Sequence, residues 1–66
     1  VSKAGVLMEF KAAETEEMLE RKAKEALQQI EDKNYEVEFT KRGIQNVWKY
    51  GIAFCGKKVC VKMKDN

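Results

Sequence analysis

Between Thr15 and Lys33 the apolar side chains recur at helical spacing. Leu19, Ala23, Ala26, Leu27 and Ile30 fall at i, i+4, i+7, i+8 and i+11, a single stripe along one side of a helix. This pattern constrains the fold most, because one stripe can be buried against only one neighbour, and both flanking segments read as strands. Upstream, residues 6–11 are nearly continuous in apolar side chains, Val-Leu-Met leading into Glu-Phe-Lys, as in a strand covered on both faces. Downstream, residues 45–54 alternate: Trp48, Tyr50, Ile52 and Phe54 share one face, and Val47, Lys49, Gly51, Ala53 and Cys55 the other. A strand, a helix and a strand joined by a right-handed crossover set the two strands parallel.

Local signals fill in the rest. Thr15 is the expected N-cap of a helix over residues 15–33, with Glu16 and Glu17 in the first turn, where the helix dipole favours acids. Glu17–Arg21 and Glu20–Lys24 are expected i,i+4 pairs on the outer face. Residues 35–42 are assigned to a short second helix, with Tyr35 and Phe39 four apart and Gly43 at the C′ position. Small side chains at Gly51 and Ala53 let a helix approach the sheet closely. Gly56-Lys57 is a turn, and Val59, Val61 and Met63 alternate with lysines in a closing antiparallel strand over residues 58–64. The expected architecture is α/β (α+β): a β-α-α-β-β order, a three-stranded mixed sheet, and helices packed on one face.

Sixty-six residues make one domain at most. A chain of this length buries only about 60% of its unfolded surface, and two cysteines, Cys55 and Cys60, supply no disulfide framework. Without histidine they do not complete a zinc site either. No apolar run approaches the ~20 residues of a membrane span, so a cytoplasmic setting is expected. The net charge of +2 conceals an asymmetry. Residues 1–40 carry six basic and ten acidic side chains, net −4, and residues 41–66 seven and one, net +6. The basic third is compatible with phosphate contact through Lys57, Lys58 and Lys62; equally, lysines along an edge strand discourage edge pairing. The strand at residues 6–11 begins almost at the first residue, which suggests a partial domain that has lost upstream strands.

The chemical signal sits at the end of the first strand. Glu9 and Lys11 are two apart and point to one side, with Val6, Met8 and Phe10 on the other. Glu-x-Lys occurs three times in the chain, but Glu20/Lys22 and Glu31/Lys33 lie on the helix, where i and i+2 side chains diverge. A carboxylate at a strand end, with the Phe10 carbonyl beside it, can hold Mg²⁺. A neighbouring lysine can orient or deprotonate water and stabilise charge on a phosphate. A cross-strand ion pair is the competing reading of the same residues.

Leu7-Met8-Glu9-Phe10-Lys11, then Ala26-Leu27 with Gln29-Ile30, Lys33 and Tyr35, then Gly43, then Tyr50-Gly51-Ile52-Ala53-Phe54-Cys55-Gly56-Lys57-Lys58-Val59 resembles the C-terminal domain of a group of bacterial predicted AAA-type ATPases, placed in the PD-(D/E)xK nuclease-like superfamily. The resemblance runs from about Leu7 to Lys62. It implies that Glu9 is a metal ligand and Lys11 the catalytic lysine, that Gln29 faces the active site from the helix, and that Tyr35 is structural or auxiliary. It implies DNA as substrate and Mg²⁺ as metal, with the signature's aspartate on a preceding strand that these residues do not include. The isolated chain is then expected to be inactive. The alternative is a non-enzymatic α/β module that self-associates or binds nucleic acid. In either case the row Trp48, Tyr50, Ile52 and Phe54, lacking cover, is expected to drive homo-oligomerisation through the sheet's face or edge.

Overall fold

The structure is a computed structural model and describes residues 3–33 and 35–65. Val1, Ser2, Asn34 and Asn66, which the single-domain reading includes, lie outside the described residues. Three strands, β1 (Lys3–Ala12), β2 (Ile44–Cys55) and β3 (Lys58–Asp65), form one sheet in the order β1-β2-β3. Two helices, α1 (Leu19–Asp32) and α2 (Glu36–Lys41), lie between β1 and β2 in the chain. β1 pairs with β2 in parallel from Ala4↔Asn46 to Ala12↔Phe54, and β2 pairs with β3 antiparallel from Trp48↔Asp65 to Cys55↔Lys58. The mixed three-stranded sheet and the helices are those the alternation and the stripe imply.

The strands outrun the apolar patterns. β1 reaches back to Lys3, with a register shift between Lys3 and Ala4, because backbone pairing to β2 continues past the last large side chain. The helix departs from expectation at its start. Residues 16–18 form a separate 3₁₀ turn, α1 begins only at Leu19, and Thr15 makes no side-chain cap bond. Thr15 instead accepts from the Met18 N–H through its backbone carbonyl at 3.2 Å. The expected Glu17–Arg21 pair does not form among the described residues, since Glu17 precedes the α-helix; Arg21 turns forward to Glu25 at 3.7 Å. Glu20–Lys24 forms as expected at 3.5 Å.

α1 lies across one face of the sheet with Leu19, Ala23, Ala26 and Ile30 buried beneath it. Gly51 decides how close it comes. A Cβ there would collide with the Ala23 carbonyl and stand 2.5 Å from the Leu27 nitrogen, so only glycine lets the helix rest at this depth. Ala53, fully buried beside it, packs with Ala13, Leu19 and Ala23. α2 closes on the same side, where the Phe39 ring lies about a van der Waals contact from the position of a Gly5 Cβ. Gly43 follows α2 at a φ of 75°, and Gly56 opens the hairpin turn at 59°, both in the left-handed region that glycine enters freely.

Candidate functional site

The alternation of β1 puts Leu7, Glu9 and Lys11 on the face that α1 covers, in register with Lys49, Gly51 and Ala53 of β2. Because Gly51 draws α1 close, Gln29 in the last turn of α1 reaches the strand. With its amide nitrogen turned toward the carboxylate, Gln29 donates to Glu9 Oε1 at 3.2 Å and its oxygen accepts from Lys11 Nζ at 3.0 Å. This orientation satisfies both hydrogen-bonding ends of the amide; the reverse sets like against like. One amide thus bridges the two charged ends of Glu9-Phe10-Lys11, and the three side chains that the sequence nominates from two distant segments meet.

Lys33, which caps the C-terminal end of α1, approaches the same carboxylate oxygen at 3.8 Å. Its Glu-x-Lys partner goes the other way. Glu31 accepts from Lys49 Nζ at 3.2 Å and meets Lys64 Nζ at 3.3 Å. Neither Lys33, Glu31 nor Lys49 is singled out by the sequence reading. Glu31 and Lys33, two apart at the end of the helix, diverge, and that divergence sends one to each flank of the same end of the sheet. Lys49 is the one charged side chain buried among the described residues, at 2% exposure. Its methylenes lie under α1 while its ammonium reaches a half-buried carboxylate. The available signal was a lysine alternating with Val47, Gly51 and Ala53 on the helix-facing side.

Phe10 presents its ring to the opposite face, 60% exposed. Its carbonyl faces elsewhere. Ala13 donates to the Phe54 carbonyl across the parallel ladder at 2.8 Å, and alternate residues of a strand direct their backbone groups to the same side. Glu9 and Lys11 therefore bond toward β2, and the Phe10 carbonyl points to the open edge of β1. Glu9 and that carbonyl are suitable hard-oxygen donors for a divalent cation, but they do not complete a site. No group of three His, Cys, Asp or Glu side chains is placed to hold a metal among the described residues. Asp32 is turned outward, accepting from Gln28 at 3.0 Å.

The lysines assigned to nucleic acid stand on and beside β3, away from this cluster. Lys58 meets Glu16 at 2.9 Å and Lys62 meets Glu20 at 3.2 Å, both as exposed pairs with the acidic flank of the helical segment. Lys57 is exposed in the hairpin turn. The hydrogen bond from Lys62, with its charge, holds the Glu20 carboxyl below the usual carboxylate range, and Lys24 adds to this. The basic C-terminal third thus answers acids of the same chain. Tyr35 caps α2 through its backbone carbonyl, which accepts from the Phe39 N–H at 3.2 Å. Cys55 and Cys60 are free thiols packed against the Ala53 cluster.

A family model for the PD-(D/E)XK nuclease superfamily matches residues 2–64. The chain belongs to that superfamily, and its mixed sheet with helices is consistent with the superfamily's fold. No curated protein matches the chain, and no solved structure does. No helix among the described residues is long and apolar enough to cross a membrane.

Proposed function

We propose that this chain is the Glu-x-Lys half of a nuclease domain that hydrolyses DNA phosphodiester bonds with Mg²⁺ or Mn²⁺. The observation that carries the reading is the Gln29 bridge, in which one side chain of α1 joins Glu9 and Lys11 of β1. Gln29 fixes the lysine's amine beside the carboxylate. Lys11 supplies the positive charge that a phosphate oxygen or an attacking water requires, and Glu9 with the Phe10 carbonyl offers two of the oxygens a cation needs. A second carboxylate belongs on a strand laid along the open edge of β1. The chain alone is then inactive, since one carboxylate does not hold the metal. The wider setting of this reading is the C-terminal domain of a bacterial AAA-type ATPase in the cytoplasm.

The test is a chain extended upstream, incubated with supercoiled DNA and Mg²⁺ or Mn²⁺. Cleavage that falls on the order of 100-fold or more in Lys11→Ala, in line with the loss of a positioned acid–base group, supports the assignment. An inert extended chain, or full activity in Lys11→Ala, sinks it. The second reading, a non-enzymatic module that self-associates through the sheet's face or edge, draws on the uncovered apolar face. Salt-dependent DNA binding through Lys57, Lys58 and Lys62 that survives removal of both Glu9 and Lys11 would favour a binding role over catalysis.

A further inference from the structure

Gln29 and Lys33 are four residues apart, so their side chains leave the end of α1 on one side. There they share an atom. Gln29 donates to Glu9 Oε1 at 3.2 Å, and Lys33 Nζ stands 3.8 Å from the same oxygen. The two lysines of this cluster are held differently. Lys11 Nζ donates to the Gln29 oxygen at 3.0 Å, whereas 3.8 Å is beyond hydrogen-bond reach. Charge alone keeps Lys33 against Glu9, and the contact engages none of the ammonium's three donors. The Lys33 side chain is 51% exposed.

The charges around this site favour an anion. About the Gln29 bridge and Glu31, four ammoniums, Lys11, Lys33, Lys49 and Lys64, stand against two carboxylates, Glu9 and Glu31. The lysines of β3 nearer the hairpin differ. Lys58 and Lys62 each hydrogen-bond a carboxylate, at 2.9 and 3.2 Å. A phosphate that recruited either would break a stronger contact than the one that holds Lys33.

We propose that Lys33 binds a backbone phosphate of the DNA substrate, the one beside the phosphate presented to Lys11. This deepens the nuclease reading and rests on it. In the free chain Lys33 lies against Glu9. With DNA in the site, its flexible four-carbon stem turns the ammonium from the carboxylate to a non-bridging phosphate oxygen. An exposed side chain makes that turn without moving the backbone. The exchange replaces a 3.8 Å contact with a charge-assisted hydrogen bond. Glu9 keeps the hydrogen bond from Gln29, so the departure of Lys33 does not strand it. Lys33 binds substrate, and no bond forms or breaks at its ammonium.

The test is DNA binding by the upstream-extended chain, in EDTA so that no strand is cut, across a salt series. Each phosphate neutralised adds about 0.9 to the slope of log affinity against log salt. Lys33→Ala is expected to lower the slope by about that amount and to weaken binding roughly 10-fold near 0.1 M salt. Lys33→Arg restores both, and Lys24→Ala, on the outer face of α1, leaves both unchanged. Because Lys33 is half-exposed at a helix end, Lys33→Ala retains the fold by circular dichroism. In Mg²⁺ the same variant raises KM and keeps kcat, the reverse of Lys11→Ala. An extended chain that does not bind DNA overturns the inference. So does an unchanged slope in Lys33→Ala, or a slope that falls only in Lys58→Ala/Lys62→Ala. Intact cleavage with an unchanged slope removes the Lys33 contact alone. A Lys33-dependent slope in a chain that cuts no DNA upholds the contact and removes the nuclease reading.

Discussion

The two faces of the sheet are built from the same three strands and share no design rule. The face under α1 uses small side chains, Gly51 and Ala53, against Ala23 and Ala26 of the helix. It gains closeness rather than bulk. Having brought the helix down, it tolerates charge, because Gln29, Glu31 and Lys33 reach polar partners on the strands. The other face uses Phe10, Trp48, Phe54 and three β3 apolar residues, all exposed. Close packing of a second element makes a site possible on one side; the other carries bulky apolar side chains that no element of the described residues covers. Phe10 and its neighbours Glu9 and Lys11 show the contrast within one tripeptide.

The contrast is broken most directly at Gly51. Gly51→Ala drives a methyl into the Ala23 carbonyl and Leu27, so the helix must lift. The expected loss is about 3 kcal/mol in denaturant unfolding, the upper end for overpacking, and Gly51→Val should leave the isolated chain unfolded. A Gly51→Ala protein of unchanged midpoint would show that α1 does not seat at this depth. Across the sheet, a conservative change at exposed Val59, such as Val59→Thr, should move the midpoint by less than about 0.5 kcal/mol in the monomer.

The ionic side of the covered face is sharpened by an asymmetry. Glu31→Ala leaves the Lys49 ammonium buried without that carboxylate, whereas Lys49→Met leaves Glu31 half-exposed and still beside Lys64. Glu31→Ala should cost about 2 kcal/mol and Lys49→Met about 1 or less, because taking one carboxylate away from a buried ammonium costs more than removing the ammonium itself. Equal losses by thermal unfolding would count against burial of Lys49 as the controlling factor. Gln29→Leu should be milder in stability, within about 1 kcal/mol. In an active extended chain it should nevertheless lower cleavage roughly 10-fold, as expected of an orienting contact.

The smallest effect concerns pH. The folded Glu20 carboxyl titrates below its ordinary value of 4.5, first because Lys62 hydrogen-bonds to it. A lowered folded pKa contributes stability that is present above the unfolded value and lost as pH falls through the folded one. The melting temperature should therefore dip slightly below pH 4.5, and Lys62→Ala should shrink the dip without abolishing it, since Lys24 remains. A dip of undiminished size in Lys62→Ala would remove β3 as its main source.

Much of the covered face is legible in the primary structure. The stripe from Leu19 to Ile30 specifies both the helix and its buried side, since 3.6-residue spacing allows only one face. The small pair Gly51 and Ala53 announces where a helix comes close, and Gly43 and Gly56 mark a helix end and a turn that their positive φ angles explain. The helix start was not legible. Thr15 has the right chemistry for a cap, but capping depends on backbone angles, and the chain spends three residues in a 3₁₀ turn before Leu19.

The candidate site divides along the same line. Glu9 and Lys11 fall on one side of β1 by strand alternation alone, and the family resemblance singles out Gln29. Only the packed structure decides that Gln29 spans them, because that contact depends on the depth at which α1 rests on Gly51. Only it decides that Lys33 and Glu31, two residues apart, part to Glu9 and Lys49, since the helix's rotation over the sheet sets which flank each meets. Residue order along this chain thus determines periodicity, face and turn. Distances between segments belong to tertiary packing, because they depend on how closely two surfaces fit, and no local pattern records that.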